Sequence, residues 1–476
     1  MNGFSTVAEL AAALRQRRVK ARELLERVIA RIATDNARLN AVVTFDYEGA
    51  RGSADRADAA RARGEALPPL SGVPVTIKDS LETAGMRTTC GAAQWSRYVP
   101  ERNAAAVQML IGAGCIVLGK SNTPIYTGDL QTYNTLFGVT RNPWDRTRSC
   151  GGSSGGSAVS VACGFSAFEL GSDIGGSIRI PAHCCGVYGH KPTYGLIPFQ
   201  GHIPPPPGNV AAPDLAVVGP IARHADDLET VLLAAARPAA ALKEACVRRL
   251  QNYRAAVWID DGDFPIDGAV KELLENCLDA LGRAGVSIRR ARPVPRLGAL
   301  FDDYLRLLWP VTTAHLSQKA MARVIETGAA SPPESWHAKL ARYANAAHRD
   351  WLAVHERREQ LRARLRDFFR EFDVLLMPTS PVAAIPHDHS EDLMARTIRI
   401  NGEARWYWEQ LAWIALATMA YLPATVAPVG LTRNGLPVGL QIVGPEFGDR
   451  VTIHFARCMA AAVGGFVPPP GYEDRA

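Results

Sequence analysis

The chain has 476 residues, and 53 Lys+Arg against 47 Asp+Glu leave a net charge of +6, too little on this length to make nucleic acid the main partner. With 47% apolar and 7% aromatic residues, 41 Gly and 32 Pro, the composition is that of a globular protein, not a disordered or fibrous one. Nine cysteines (Cys90, Cys115, Cys150, Cys163, Cys184, Cys185, Cys246, Cys277, Cys458) without a C-x-x-C pair give neither a disulfide framework nor a structural zinc site, and no metal or cofactor is expected. The N-terminal MNGFSTVAEL lacks the charged and apolar regions of a secretory signal, so the expected compartment is the cytoplasm.

Thr6 and Glu9 fit a capping box, and Ala21, Leu24, Leu25, Val28 and Ile32 recur at helical spacing, so residues 6–32 read as helical within an N-terminal helical region 1–65. Arg15, Arg17, Arg18, Lys20 and Arg22 lie on it, interleaved with Glu9, Glu23 and Glu26, as on a solvated helix face. Val73, Val75 and Ile77 alternate with Pro74 and Thr76 in a short strand that ends at Lys78. A second strand at 115–118 follows a helix at 102–113, which makes a βαβ unit and a largely parallel sheet. Pro204 to Pro207 reads as a stiff polyproline connector. Later strands are expected at 255–259, 286–289, 374–377 and 438–443, with helices at 269–281 and 351–369. Residues 235–370 carry no readable motif; a cap or substrate-cavity region is the expectation there. The uncharged stretch 410–432 is interrupted by Pro423 and Pro428, so it suits a buried helix at 411–422 and not a membrane span.

Two Gly/Ser segments stand out about twenty residues apart: GGSSGGS at 151–157 and LGSDIGGSIRIP at 170–181. A phosphate-binding P-loop would need Gly-Lys-Ser/Thr at its end, which is absent. The first segment satisfies G-x-S-x-G around Ser153 or Ser154, but a nucleophile elbow needs a buried strand directly before it, and NPWDRTRS at 142–149 cannot form one. In the second, Gly175 and Gly176 allow a tight turn in which N–H groups from Ile174 to Ser177 converge, as an oxyanion hole requires, with Ser177 beside them.

A serine hydroxyl needs a base. Among eleven histidines, His183 and His190 read as packing residues and none has a partner motif. The chain holds 8 Lys against 45 Arg, so a lysine at the end of an apolar strand is an unusual choice, and Lys78 is the candidate. It must be neutral, which means lowering its pKa from about 10.4 toward 7 at about 4 to 5 kcal/mol. Burial among Val73, Val75 and Ile77 supplies that shift, and Asp79, next in an alternating strand, faces away.

Taken together, GVPVTIKD around Lys78, CGGSSGGSA around Ser153 and LGSDIGGSIRIPA around Ser177 resemble the amidase signature family. So do FGVTRNPWD, VYGHKPTYG, PTSPVAAIP at 378–386 and GLPVGLQIVGP at 435–445. The resemblance implies an α/β fold in one large domain over 1–476, with a mixed, mostly parallel central sheet covered by helices on both faces. It implies a Ser–cis-Ser–Lys triad of Ser177 as nucleophile, Ser153 as bridging serine and Lys78 as base, with Ser154 as a supporting donor. The backbone near Thr127 would orient the leaving amine, and Asp173 and Arg179 would brace the nucleophile loop. Cys150 stands where many members have Pro, and Ile125 where many have an acidic residue, so the lip of the pocket departs from the pattern. A buried Cys150 thiol without a His partner is expected to be inert.

Three functions follow. The first is a free-standing amidase acting on a small-molecule carboxylic amide, with no nucleic acid or membrane partner and a homodimer left open. The second is the glutaminase-type subunit of a tRNA-dependent amidotransferase, which the basic N-terminal helix slightly favours. The third is a scaffold without chemistry, the weakest because all three triad positions are filled; an α/β-hydrolase-like esterase stands lower still. Trp309, Trp336, Trp406, Tyr407 and Trp408 either line an acyl pocket or, more in keeping with their type, pack in the core.

Overall fold

A computed structural model describes residues 3–237, 242 and 248–473; Met1, Asn2 and Cys246 lie outside them. The capping box forms as read, with the Glu9 N–H donating to Thr6 Oγ1 (3.1 Å) and the Thr6 N–H to Glu9 Oε2 (2.8 Å). The N-terminal helix is interrupted, however: Val7–Arg15 and Ala21–Leu39 are separate, and Tyr47–Ala62 follows a strand at Val42–Phe45. Of its basic residues, Arg22 pairs with Glu26 and Asp55, and Arg27 with Glu23, at exposed sites where such pairs contribute little.

The expected βαβ unit is present. Pro74–Lys78 and Ile116–Ser121 are parallel neighbours joined through the helix Ala105–Gly112. They form a three-stranded sheet of their own, with Val42–Phe45 antiparallel to Ile116–Ser121.

The central sheet is mixed and eight-stranded, in the order Ser287–Arg290, Arg254–Val257, Val374–Pro378, Pro437–Val443, Ala424–Leu431, Tyr188–Lys191, Val217–Ala222, Phe168–Asp173. The expectation of a mostly parallel sheet is corrected here. Only the two pairs made by Arg254–Val257, with Ser287–Arg290 and with Val374–Pro378, are parallel; the other five are antiparallel. The physical reason is plain at Ala424–Leu431 and Pro437–Val443, joined by five residues in which Gly435 adopts φ 75°. So short a connection joins only antiparallel strands.

Helices cover both faces of this sheet. Thr425 donates to Thr452 of the helix Asp449–Val463 (2.9 Å), while Gly439, across from Pro428, lies against His183 of the helix Arg179–Cys185. Thr425 and Pro428 differ by an odd number of residues and so point to opposite faces. Residues 410–432 divide into a buried helix, Ala412–Met419, and the strand Ala424–Leu431, and among the described residues no helix is long and apolar enough to cross a membrane. Residues 204–207 are not an extended connector: they lie among turns and bends, and the peptide bonds 203–204 and 204–205 are cis.

One close approach fixes the first Gly/Ser segment. A Cβ on Gly156, in the first turn of the helix Gly155–Ala162, would lie 2.4 Å from the backbone N and 2.5 Å from the carbonyl O of Asn122. Backbone cannot yield as a side chain does. Gly156→Ala is therefore expected to destabilise the protein by about 2 kcal/mol or more, read as a lower midpoint in chemical denaturation.

Candidate active site

Lys78 ends the strand Pro74–Lys78, and Val73, Val75, Ile77 and Lys78 itself are fully buried. Its Nζ lies 2.7 Å from Ser153 Oγ, 2.9 Å from Ser154 Oγ and 3.0 Å from Ser172 Oγ. Burial pushes the amine down from 10.5 to about 7, and the nearest acidic groups only partly offset this. Asp79 turns away as expected, to the N–H (3.1 Å) and hydroxyl (2.5 Å) of Thr89 and toward Lys120 at 4.0 Å.

Ser153 follows a cis peptide bond with Gly152, and its carbonyl accepts from Thr123 Oγ1 (3.0 Å). No strand leads into this segment, only isolated bridges of Arg141 with Ser149 and of Arg148 with Pro386, so the nucleophile-elbow reading has no structural context. The two Gly/Ser segments meet where the Ser154 N–H donates to the carbonyl of Ser177 (3.1 Å).

The strand Phe168–Asp173 delivers the second segment, which turns at Gly176 (φ 80°) into the helix Arg179–Cys185. Asp173 accepts from Gly176 N (2.9 Å), Ile178 N (3.1 Å) and both Nε (3.0 Å) and NH2 (2.8 Å) of Arg179. Burial alone would raise this carboxyl, but the Arg179 guanidinium outweighs it and holds the pKa below the ordinary value. Arg179 is anchored in turn on Ile414 O (3.0 Å), Gln441 Oε1 (2.8 Å) and Thr418 Oγ1 (2.6 Å).

The Gly176 N–H is thus already committed. Among the described residues no group accepts from the N–H of Ile174, Gly175 or Ser177, so of the four N–H groups read from the sequence these three are unengaged. The Ile174 carbonyl accepts from Tyr304 Oη (2.7 Å), and Gly175 faces Leu411 and Tyr304. Ser177 is 5% exposed, and its hydroxyl has no hydrogen bond among the described residues.

Thr127 ends the short 3-10 turn Ile125–Thr127 with φ 56°; its N–H donates to the Pro124 carbonyl, and Ile125 is 45% exposed. His183 and His190 are buried packing residues, bound to Gly439 N and the Val382 carbonyl, and to Thr425 and Asp449. Burial pushes the Cys150 thiol up to about 12, which suits an inert group. Trp336 stacks on Trp406 at 3.4 Å, Trp309 packs edge-on to Trp406, Tyr407 bonds Asp129 (2.6 Å) and Trp408 the Leu393 carbonyl (2.9 Å), so these aromatics are structural. Among the described residues no cluster of His, Cys, Asp or Glu could hold a metal.

Sequence reasoning missed Ser172 and His202. Ser172 completes the shell of Lys78, and His202 Nε2 lies 2.8 Å from its hydroxyl. Ser172 sits in the LGSD run that carries the nucleophile loop and two residues from the buried Leu170, so its face was available as a signal. His202 is far along the chain, and nothing local points to it. Two more lysines are fully buried, Lys120 and Lys191, which burial pushes down to about 8 and about 7.

A profile of the Amidase family matches residues 23–453. The chain is 33% identical over 486 residues to one subunit of the glutamyl-tRNA(Gln) amidotransferase of Roseiflexus sp. (strain RS-1), covering 94% of each protein. Its structure is similar to that of an amidase (28% identity, TM-score 0.81, 97% of this chain and 100% of that one). It is similar also to a bacterial aryl acylamidase of the amidase signature family (25% identity, TM-score 0.80, 96% of each). The match of that profile to most of the chain, over a fold shared with these enzymes, places the protein in the amidase signature family.

Proposed function

We propose that the chain cleaves a carboxylic amide through an acyl-enzyme on Ser177, and the observation that carries this reading is the buried, near-neutral Lys78 amine 2.7 Å from the Ser153 hydroxyl. Ser177 Oγ attacks the amide carbonyl while its proton passes to Ser153 Oγ and the Ser153 proton passes to Lys78 Nζ. The N–H groups of Ile174, Gly175 and Ser177 receive the oxyanion. The relay then runs backward: Lys78 returns a proton through Ser153 to the leaving nitrogen, which departs as amine or ammonia, because an amide anion is a very poor leaving group. Water, deprotonated by the same route, attacks the acyl group; Ser177 regains its proton and the carboxylate leaves. Asp173 and Arg179 hold the loop in shape, and Thr127 offers its backbone carbonyl to the leaving amine.

The setting is the finer question. The curated relatives favour the amidotransferase reading, in which glutamine supplies ammonia inside a complex with tRNA and further protein subunits, over the free-standing amidase. The apolar Leu411 beside Gly175 suits an apolar acyl group and is the observation on the other side.

Three results are expected. A fluorophosphonate probe labels the wild type at Ser177 and leaves Ser177→Ala unlabelled. Lys78→Ala lowers kcat by a factor on the order of 10² to 10⁴ with the fold retained, measured by steady-state kinetics beside a thermal melt. Because the base form of Lys78 is lost as pH falls through about 7, the acylation rate drops tenfold for each further unit of acidification, read in single-turnover assays.

Ammonia release from glutamine and from aliphatic and aryl amides, with and without the other components of an amidotransferase, separates the two settings. Glutamine turnover that rises at least about tenfold on their addition supports the amidotransferase reading, while simple-amide turnover indifferent to them supports the free-standing one.

A further inference from the structure

The shell of Lys78 contains a buried histidine that the proposed relay does not use. His202 places Nδ1 2.9 Å from the Pro204 carbonyl oxygen, and Nε2 2.8 Å from Ser172 Oγ and 3.0 Å from Ser80 Oγ. A carbonyl oxygen only accepts, so Nδ1 carries the proton. Burial, and after it the neighbouring Lys78, push the ring down to about 3, so it is neutral and Nε2 is a bare acceptor.

The hydroxyl protons are then fixed in turn. Of the two hydroxyls that face Nε2, Ser172 is the nearer (2.8 Å against 3.0 Å for Ser80) and gives it its one proton, which leaves the Ser172 oxygen to accept from Lys78 at 3.0 Å. Ser154 directs its proton to the Ser172 carbonyl (3.4 Å) and accepts from Lys78 at 2.9 Å. A neutral lysine amine has two N–H bonds and one lone pair. With both N–H bonds taken by Ser172 and Ser154, the lone pair is left for Ser153, the nearest of the three at 2.7 Å.

We infer that His202 is a positioning residue which, by accepting the proton of Ser172, aims the lone pair of Lys78 at Ser153. This rests on the amidase reading above. Without an acceptor at position 202, the Ser172 hydroxyl is free to turn its proton onto Lys78 and compete with Ser153 for the one lone pair. His202 touches neither Ser177 nor Ser153 through any hydrogen bond, so its influence passes through Ser172.

The test uses the full chain. In the wild type, ¹⁵N spectra of labelled histidine should show His202 protonated at Nδ1 and bare at Nε2 across neutral pH; the opposite tautomer overturns the inference without any variant. Kinetics of His202→Leu, His202→Gln, Ser172→Ala and the His202→Leu/Ser172→Ala double variant, each scaled to the sites titrated by fluorophosphonate, give the second readout. His202→Leu should lose about tenfold or more in kcat, part of what a general base contributes, with KM nearly unchanged. His202→Gln, whose amide oxygen can accept from Ser172, should recover most of it. The double variant should be no slower than Ser172→Ala alone. Losses that multiply in the double variant, or a Gln variant as slow as Leu at equal site counts, overturn the assignment. Should Ser177→Ala or Lys78→Ala keep full activity, the amidase reading itself fails; should both be inactive while the tautomer is reversed, only the role of His202 does.

Discussion

An amine held out of water is the constraint on which this site depends. Among the described residues Lys78 has no counter-ion in contact, only three hydroxyls, and it is fully buried at the end of a strand. A folded amine at about 7, set against an unfolded one near 10.5, destabilises the protein by about 5 kcal/mol below pH 7, and that cost fades as pH rises to 10.5. This is a large share of the stability of an ordinary domain. The surrounding packing must make it good, and the wholly apolar neighbours Val73, Val75 and Ile77 are part of that packing.

The rest of the architecture serves to bring three distant segments to that amine. The strand Pro74–Lys78 carries the amine, the N-terminus of Gly155–Ala162 carries two hydroxyls, and the end of Phe168–Asp173 carries a third and leads into the Ser177 loop. Each is held by backbone contacts as well as side chains: Gly156 against Asn122, Ser154 N–H on Ser177 O. The Asp173–Arg179 pair extends the support to Ile414, Thr418 and Gln441, so the uncharged stretch 410–432, opaque as a sequence, serves as the wall behind the Ser177 loop. A buried ion pair is weak support for stability on its own; here its hydrogen bonds to Gly176 and Ile178 fix the turn.

What could be read from residues alone divides along the same line. Lys78 was legible because a rare residue type ends an apolar strand, and Ser177 because two glycines precede it; both are local signals. Strand direction was not, since four strands of the central sheet, Phe168–Asp173, Tyr188–Lys191, Val217–Ala222 and Ala424–Leu431, went unread and all pair antiparallel. Gly176 was read as an oxyanion donor because spacing does not reveal that Asp173, three residues before it, takes its N–H. Ser172 and His202 meet across thirty residues of sequence, and the prolines that follow His202 read as a connector although the first of them supplies the carbonyl that sets its tautomer.

The scarcity of lysine has a practical corollary. Of the eight, Lys78, Lys120 and Lys191 are fully enclosed, and Lys243 lies outside the described residues. That leaves Lys20, Lys271, Lys319 and Lys339 as the partly or fully accessible amines among the described residues, on a surface otherwise furnished with arginine. Acylating reagents, amine cross-linkers and resin coupling would therefore meet a handful of handles, all well apart in sequence from the segments that surround Lys78.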